Sequence, residues 1–274
     1  MLEPTVRTAL LEDLGRAGDL TTDSIIPADL VGSVALVSRD QGILSGLACA
    51  RLAWQLVDPQ VDFQADLPDS ARLQPGSVIG VATGPVRALL TGERVALNFL
   101  GHLSGIATTT ASFVEAVAGT RTQICCTRKT TPGLRALEKA AVRAGGGANH
   151  RYGLDDAVLI KDNHLAFAGS ITRAVRDARS GVGHLVKIEV EVDSLDQIEE
   201  VLDAGADAVL LDNMSPAQVR QAVELVDGQI VTEASGRVTP QTVRDIAETG
   251  VDLISVGWLT HSAPVLDIGL DYLH

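Results

Sequence analysis

The chain has 274 residues, 46% apolar and 21% charged, so it can bury a sizeable core and is neither disordered nor fibrous. Aromatic residues make up only 3%, which predicts an aliphatic core. The net charge of −13 argues against nucleic acid or an anionic membrane as partner.

Glu3, Glu12, Asp13 and Asp19 give the N-terminus the wrong charge for a targeting segment. Strand-like runs at 34–37, 61–63, 78–81 and 86–90 are separated by Gly, Pro and Asp turns. One helix reads through 51–57 and another starts near Thr91. This predicts a separate α+β domain ending between Gly105 and Thr122, taken as 1–106, with the C-terminal tail 265–274 packing on it. The longest uncharged run near the middle, 95–114, carries Asn98, His102, Ser104 and three threonines, so it reads as a buried helix and not a membrane span. Cys49, Cys125 and Cys126 form neither a disulfide framework nor a spaced ligand set. They read as buried thiols of a reducing compartment, with Cys125 and Cys126 on opposite faces of a strand. These features place the protein in the cytoplasm, without membrane attachment.

Charge is unevenly distributed. Residues 121–161 hold eight cations against Glu138, Asp155 and Asp156, a net of +5, and leave −18 on the remainder. Several of these cations follow apolar runs that read as strand ends, which favours a pocket over a solvated basic face. Such runs recur at 124–126, 158–160, 186–190, 208–211, 230–232 and 253–256, with helices between the later ones. Ser215-Pro216 with Gln218, and Thr239-Pro240, read as helix starts. Alternating strands and helices mean a covered parallel sheet. Six units are too few for a closed eight-stranded barrel, so an open α/β barrel of parallel strands over 107–264 fits better than the alternative, a doubly wound sheet.

In barrel folds the chemistry sits at the C-terminal strand ends. Those positions read Thr127-Arg128-Lys129, Lys161-Asp162, Glu191, Asp212, Ser235-Gly236 and Gly257. Arg128 and Arg151 suit bidentate grip of carboxylates, while Lys129 and Lys161 act as point charges. Glu191 and Asp212 could share a Mg²⁺ or take sugar hydroxyls. Small residues after the last strands suit a phosphate. The rival reading of Glu191 and Asp212 is surface carboxylates, and that of Glu189 an ion pair behind the site. The run Gly145-Gly146-Gly147 before Asn149-His150-Arg151 looks like a site loop. His102, His164 and His261 read as structural.

The stretch from Thr127 to His164, TRKTTPGLRALEKAAVRAGGGANHRYGLDDAVLIKDNH, resembles the signature of the quinolinate phosphoribosyltransferase family, the carboxylating nicotinate-nucleotide pyrophosphorylases. Similarity extends to LEDLGRAGDLTT (11–22), GERVALNFLGHLSGIAT (92–108), EVEVDSL (189–195), LLDN (210–213) and EASG (233–236), so it covers almost the whole chain in order. The resemblance implies an N-terminal α/β sandwich followed by an open α/β barrel. It implies transfer of phosphoribose from phosphoribosyl pyrophosphate to quinolinate with Mg²⁺, yielding nicotinate mononucleotide, pyrophosphate and CO₂. By the same resemblance Arg128, His150, Arg151 and Lys161 hold the quinolinate carboxylates, and Arg94 reaches in from the partner of a homodimer or larger assembly. Lys129, Glu191 and Asp212 face the ribose, pyrophosphate and metal, and carry the catalysis. Ser235, Gly236 and Gly257 take the 5′-phosphate.

Two positions depart from the family pattern. Arg237 stands where Gly or Asn is common; either the backbone differs there or the arginine adds a phosphate contact. Ala140 stands where an aromatic is common. Three rivals stay open on the residues alone: a sister transferase acting on nicotinate or another single-carboxylate base, a Schiff-base aldolase using Lys161, and a sugar-phosphate binding protein.

Overall fold

The computed structural model describes residues 2–273. Its first strands are β1 (Val31–Ser38), β2 (Gly42–Ile43), β3 (Asp62–Ala65), β4 (Arg72–Leu73) and β5 (Val78–Pro85). β1 pairs antiparallel with β5, β5 with β3, and β2 with β4. The apolar run 86–90 is not a strand, and the helix expected near Thr91 opens five residues earlier: it spans Val86–Ala116. Val86, Leu89, Gly92, Ala96, Leu100, Leu103, Ala107 and Thr110 are all buried, a spacing of three and four that a five-residue window cannot show. Arg94 therefore lies in the third turn, beyond reach of the helix-terminal dipole. Among the described residues no helix is long and apolar enough to cross a membrane.

Two compact units divide the chain. The first comprises the chain as far as Ala111, Thr131–Gly146 and the segment from Ser262; the second is Ser112–Thr130 with Gly147–His261. Two contacts show why 131–146 belongs to the first unit. Buried Glu138 takes hydrogen bonds from His102 Nε2 at 2.8 Å and from the Thr131 amide at 3.0 Å. A Cβ on Gly145 would stand 2.3 Å from the Ala107 carbonyl oxygen, so only glycine permits the approach. His102 is thus a structural histidine, as its sequence context suggests.

The second unit is built on β6 (Gln123–Cys125), β7 (Val158–Ile160), β8 (Ile188–Val192), β9 (Ala208–Asp212), β10 (Val231–Ser235) and β11 (Leu253–Ser255). They form one parallel sheet in the order β6-β11-β10-β9-β8-β7, the open α/β barrel. Ala148 runs beside β6: its amide donates to the Ile124 carbonyl at 2.7 Å and its carbonyl accepts from the Cys126 amide at 3.2 Å. It forms an isolated parallel bridge with Cys125 at that edge of the sheet. The helix Pro216–Val226 carries the Ser215–Gln218 capping box expected of it, whereas the helix after β10 opens at Val243, later than Thr239-Pro240 suggests. Beyond this unit the chain forms β12 (Ile268–Leu273), which pairs antiparallel with β1 in the first unit.

Period-two alternation sorts the barrel side chains. Ile188, Val190, Val192, Val209, Leu211, Ala234 and Ile254 are buried in one aliphatic core. The alternate positions, Glu189, Glu191, Leu210, Asp212, Glu233, Ser235 and Ser255, share the opposite face. These strands are therefore not apolar throughout; one face of the sheet is strongly polar.

Candidate active site

That polar face opens into a cavity of about 560 Å³ at the C-terminal strand ends. Arg128, Lys129, His150, Arg151, Lys161, Glu191, Asp212, Ser235 and Gly236 line it, together with Thr127, Leu159, Leu210, Asn213, Glu233, Arg237 and Ser255. Register explains the convergence. Glu191, Leu210, Glu233 and Leu253 stand level across four neighbouring strands, with Asp212 and Ser235 paired one step higher.

The cations are individually positioned. Lys161 forms an ion pair with Glu191 across β7 and β8. Arg151 donates to the Ala157 carbonyl at 3.2 Å, and its buried Nε has no hydrogen-bond partner among the described residues. Burial, and next the neighbouring Arg128 charge, lower the Arg151 pKa, with Glu189 and Asp156 opposing. Asp156 holds the following turn by accepting from the amides of Tyr152 at 2.6 Å and Gly153 at 3.0 Å. Lys129 is fixed through its backbone: its amide donates to Thr127 Oγ1 at 3.0 Å and its carbonyl accepts from Thr260 at 2.7 Å. Its side chain crosses Gly257, where a Cβ would sit 2.9 Å from Lys129 Cδ. Gly257 thus meets the site by leaving room for Lys129.

His150 is engaged at both ring nitrogens. Nδ1 accepts from the Arg151 amide at 2.8 Å, which leaves the proton on Nε2, 3.0 Å from Glu189 and 3.6 Å from Glu233. His150 thus lines the cavity while fixing the Arg151 backbone and Glu189. Glu189 is likewise the ion-pair partner behind the site that its position allows.

Glu233 is the site residue that the sequence pattern does not single out. Its side chain is 1% exposed; burial, and next the Glu189 charge, push its carboxyl up to about 7, against the pull of His150, Ser255 and Lys161. One signal does point to it: an acid at the alternate position to Ser235 in a parallel strand must face a polar interior.

At the ends of β9 and β10, Asp212 Oδ2 accepts from Asn213 Nδ2 at 2.7 Å. Asn213 adopts φ 55° and donates its amide to the Ser235 carbonyl at 2.9 Å. Gly236 has φ 142°, and a Cβ there would meet Asn213 Oδ1 at 2.8 Å, so glycine is required. Among the described non-glycine residues only Ser70, Asn213 and Asp227 have positive φ. The backbone at Arg237 thus suits an arginine. His164 Nδ1 accepts from the Lys161 amide at 2.9 Å and caps its helix, a structural role. All three cysteines are buried thiols; Cys126 donates to Asn149 at 3.3 Å, and burial pushes Cys49 up to about 12. Arg94 belongs to the first unit, exposed on its helix in a groove with Asn98, Leu266 and Asp267.

Residues 19–104 match the quinolinate phosphoribosyl transferase N-terminal domain and residues 106–271 the C-terminal domain of the same name. A probable nicotinate-nucleotide pyrophosphorylase [carboxylating] of Bacillus subtilis (strain 168) is 46% identical over 95% of this chain and 90% of its own. The nicotinate-nucleotide pyrophosphorylase [carboxylating] of Mycobacterium leprae is 44% identical over 97% and 95%. The crystal structure of NadC from Streptococcus pyogenes superposes with a TM-score of 0.95 at 43% identity, covering 100% of this chain and 97% of that one. With both domains matched in order, the chain belongs to the quinolinate phosphoribosyltransferase family.

Proposed function

We propose that this chain transfers phosphoribose from phosphoribosyl pyrophosphate to quinolinate with decarboxylation, giving nicotinate mononucleotide, pyrophosphate and CO₂, as a cytoplasmic enzyme of NAD biosynthesis. The observation that carries the reading is one cavity with two chemistries. Arg128, Arg151 and Lys161 supply a cationic end for a small dianion; Asp212, Ser235 and Gly236 supply an end for a sugar phosphate. A volume of about 560 Å³ lies within the range of small-molecule sites.

The reaction breaks the ribosyl C1′–oxygen bond, and pyrophosphate leaves with the electron pair. The ring nitrogen of quinolinate supplies the pair for the new bond. Lys129 faces the leaving charge, while Glu191 and Asp212 provide negative field near the oxocarbenium-like carbon. The ribosylated ring is cationic and stabilises the electron pair left on the ring carbon as the adjacent carboxylate departs as CO₂, and a proton from solvent then completes the C–H bond there. Positioning and electrostatics carry most of the acceleration.

A Mg²⁺ fits the carboxylates present. Glu191 and Asp212 each have one oxygen committed, to Lys161 and Asn213, and the other without a hydrogen bond among the described residues. One carboxylate oxygen from each plus substrate phosphate is a usual Mg²⁺ donor set, and the ion would neutralise the departing pyrophosphate. The Lys161–Glu191 pair speaks against the aldolase reading, since it engages the amine that would have to attack a carbonyl.

A homodimer in which Arg94 of a second copy completes the carboxylate end belongs to this reading. Its support is an exposed arginine with no ion pair or hydrogen bond among the described residues, including none to Glu93.

The test is base selectivity. Removing one carboxylate from the substrate leaves desolvated cations unpaired, at about 2–5 kcal/mol, so kcat/KM should favour quinolinate over nicotinate roughly 30- to 5,000-fold. Comparable turnover of the two bases would transfer the assignment to the single-carboxylate sister enzyme.

A further inference from the structure

We propose that Arg237 is a ligand of the donor's terminal phosphate, a charged contact added to the small-residue cradle at the end of β10. The inference rests on the phosphoribosyl-transfer reading and names one more residue of that site.

The backbone on both sides of Arg237 is anchored. Before it, the Ser235 carbonyl accepts from the Asn213 amide at 2.9 Å, and Gly236 makes its turn against Asn213. After it, Val238 is 4% exposed and its carbonyl accepts from Trp258 Nε1 at 3.0 Å. Arg237 is thus held between two fixed points, while its side chain is exposed and lines the cavity beside Ser235 and Gly236.

No hydrogen bond or ion pair engages that guanidinium among the described residues. Placing an arginine there is electrostatically unfavourable by itself, because Arg128, Lys129, Arg151 and Lys161 already line the same cavity. The acids on hand do not offset it. Glu191 is paired with Lys161, Glu189 with His150, and Glu233 is buried with its carboxyl raised, which leaves Asp212 alone against Arg128, Lys129, Arg151 and Arg237. A multivalent anion bound beside Ser235 and Gly236 would relieve the repulsion. A phosphate monoester fits: it offers several oxygens to a planar fork of donors and leaves others for backbone amides. The carboxylate substrate is matched to the opposite cations, and pyrophosphate to Lys129 and the metal-facing carboxylates. The sugar's terminal phosphate is the anion left to pair with Arg237.

Ribose 5-phosphate isolates this contact, because it carries that phosphate without the pyrophosphate or the base. Calorimetric titration of the full chain should show Arg237→Ala binding ribose 5-phosphate roughly 10- to 100-fold more weakly, the usual loss for a charge-assisted hydrogen bond. Arg237→Lys should recover part of it. Pyrophosphate and quinolinate should each bind Arg237→Ala within about twofold of the parent, since neither carries the terminal phosphate. Equal affinity of parent and Arg237→Ala for ribose 5-phosphate overturns the assignment, as does a loss confined to pyrophosphate. The two readings fail separately. A parent that binds ribose 5-phosphate through Arg237 but does not turn over quinolinate refutes the reaction and keeps the contact. A parent that does not bind ribose 5-phosphate refutes the contact.

Discussion

Replacing Glu233 with glutamine keeps its shape and removes its ionisation, which makes its buried carboxyl measurable. In the folded chain burial beside Glu189 raises this group from 4.5 to about 7. Between those values the fold holds a proton that the unfolded chain has released, so folding stability falls as pH rises through the window. A rise of that size corresponds to about 3 kcal/mol of lost stability once the pH is above 7. The amide of the Glu233→Gln variant has no proton to release and suffers no such loss. The gap between variant and parent should therefore be small near pH 5 and widen steadily in the variant's favour up to pH 8. For a unit of this size the gap translates to roughly 5–10 °C in Tm. Thermal unfolding of both proteins from pH 5 to 8 reads this directly, because every other titrating group is common to the two. A gap that stays constant with pH, or that grows in favour of the parent, would mean Glu233 is ionised throughout as a partner of His150.

Other perturbations address the chemistry. Gly257→Ala places a methyl 2.9 Å from Lys129 Cδ, a flexible position, so the side chain should shift and kcat should fall while quinolinate affinity and unfolding temperature stay near the parent's. A fold lost instead would show that Gly257 serves the backbone. Arg94→Ala and Lys129→Ala should each be nearly inactive. Refolded together they should regain roughly a quarter of the parent activity, since half the dimers are mixed and one of their two sites is intact. No regain after verified subunit exchange would confine Arg94 to its own chain.

Much of this site is legible in the sequence because strand ends carry their chemistry in linear order. Arg128, Lys129, Lys161, Glu191 and Asp212 follow or end apolar runs, and β6 to β11 bring them to one cavity. Glu233 is harder to see because its strand reads as apolar until alternation is imposed; only the pairing with Leu210 and Leu253 shows which face it takes. The run 86–90 misleads because five apolar residues fit a strand and a helix equally, and burial down to Thr110 decides between them. The role of His150 turns on two hydrogen bonds, one to the adjoining amide and one to a strand 39 residues away, which composition cannot foretell.

The central claim is tested most directly by following both products from quinolinate labelled in its 2-carboxylate, supplied with phosphoribosyl pyrophosphate and Mg²⁺. The account predicts one labelled CO₂ for each nicotinate mononucleotide formed, with neither product appearing when the phosphoribosyl donor is omitted. Nucleotide formed without CO₂, or a label that stays in the ring product, would contradict it.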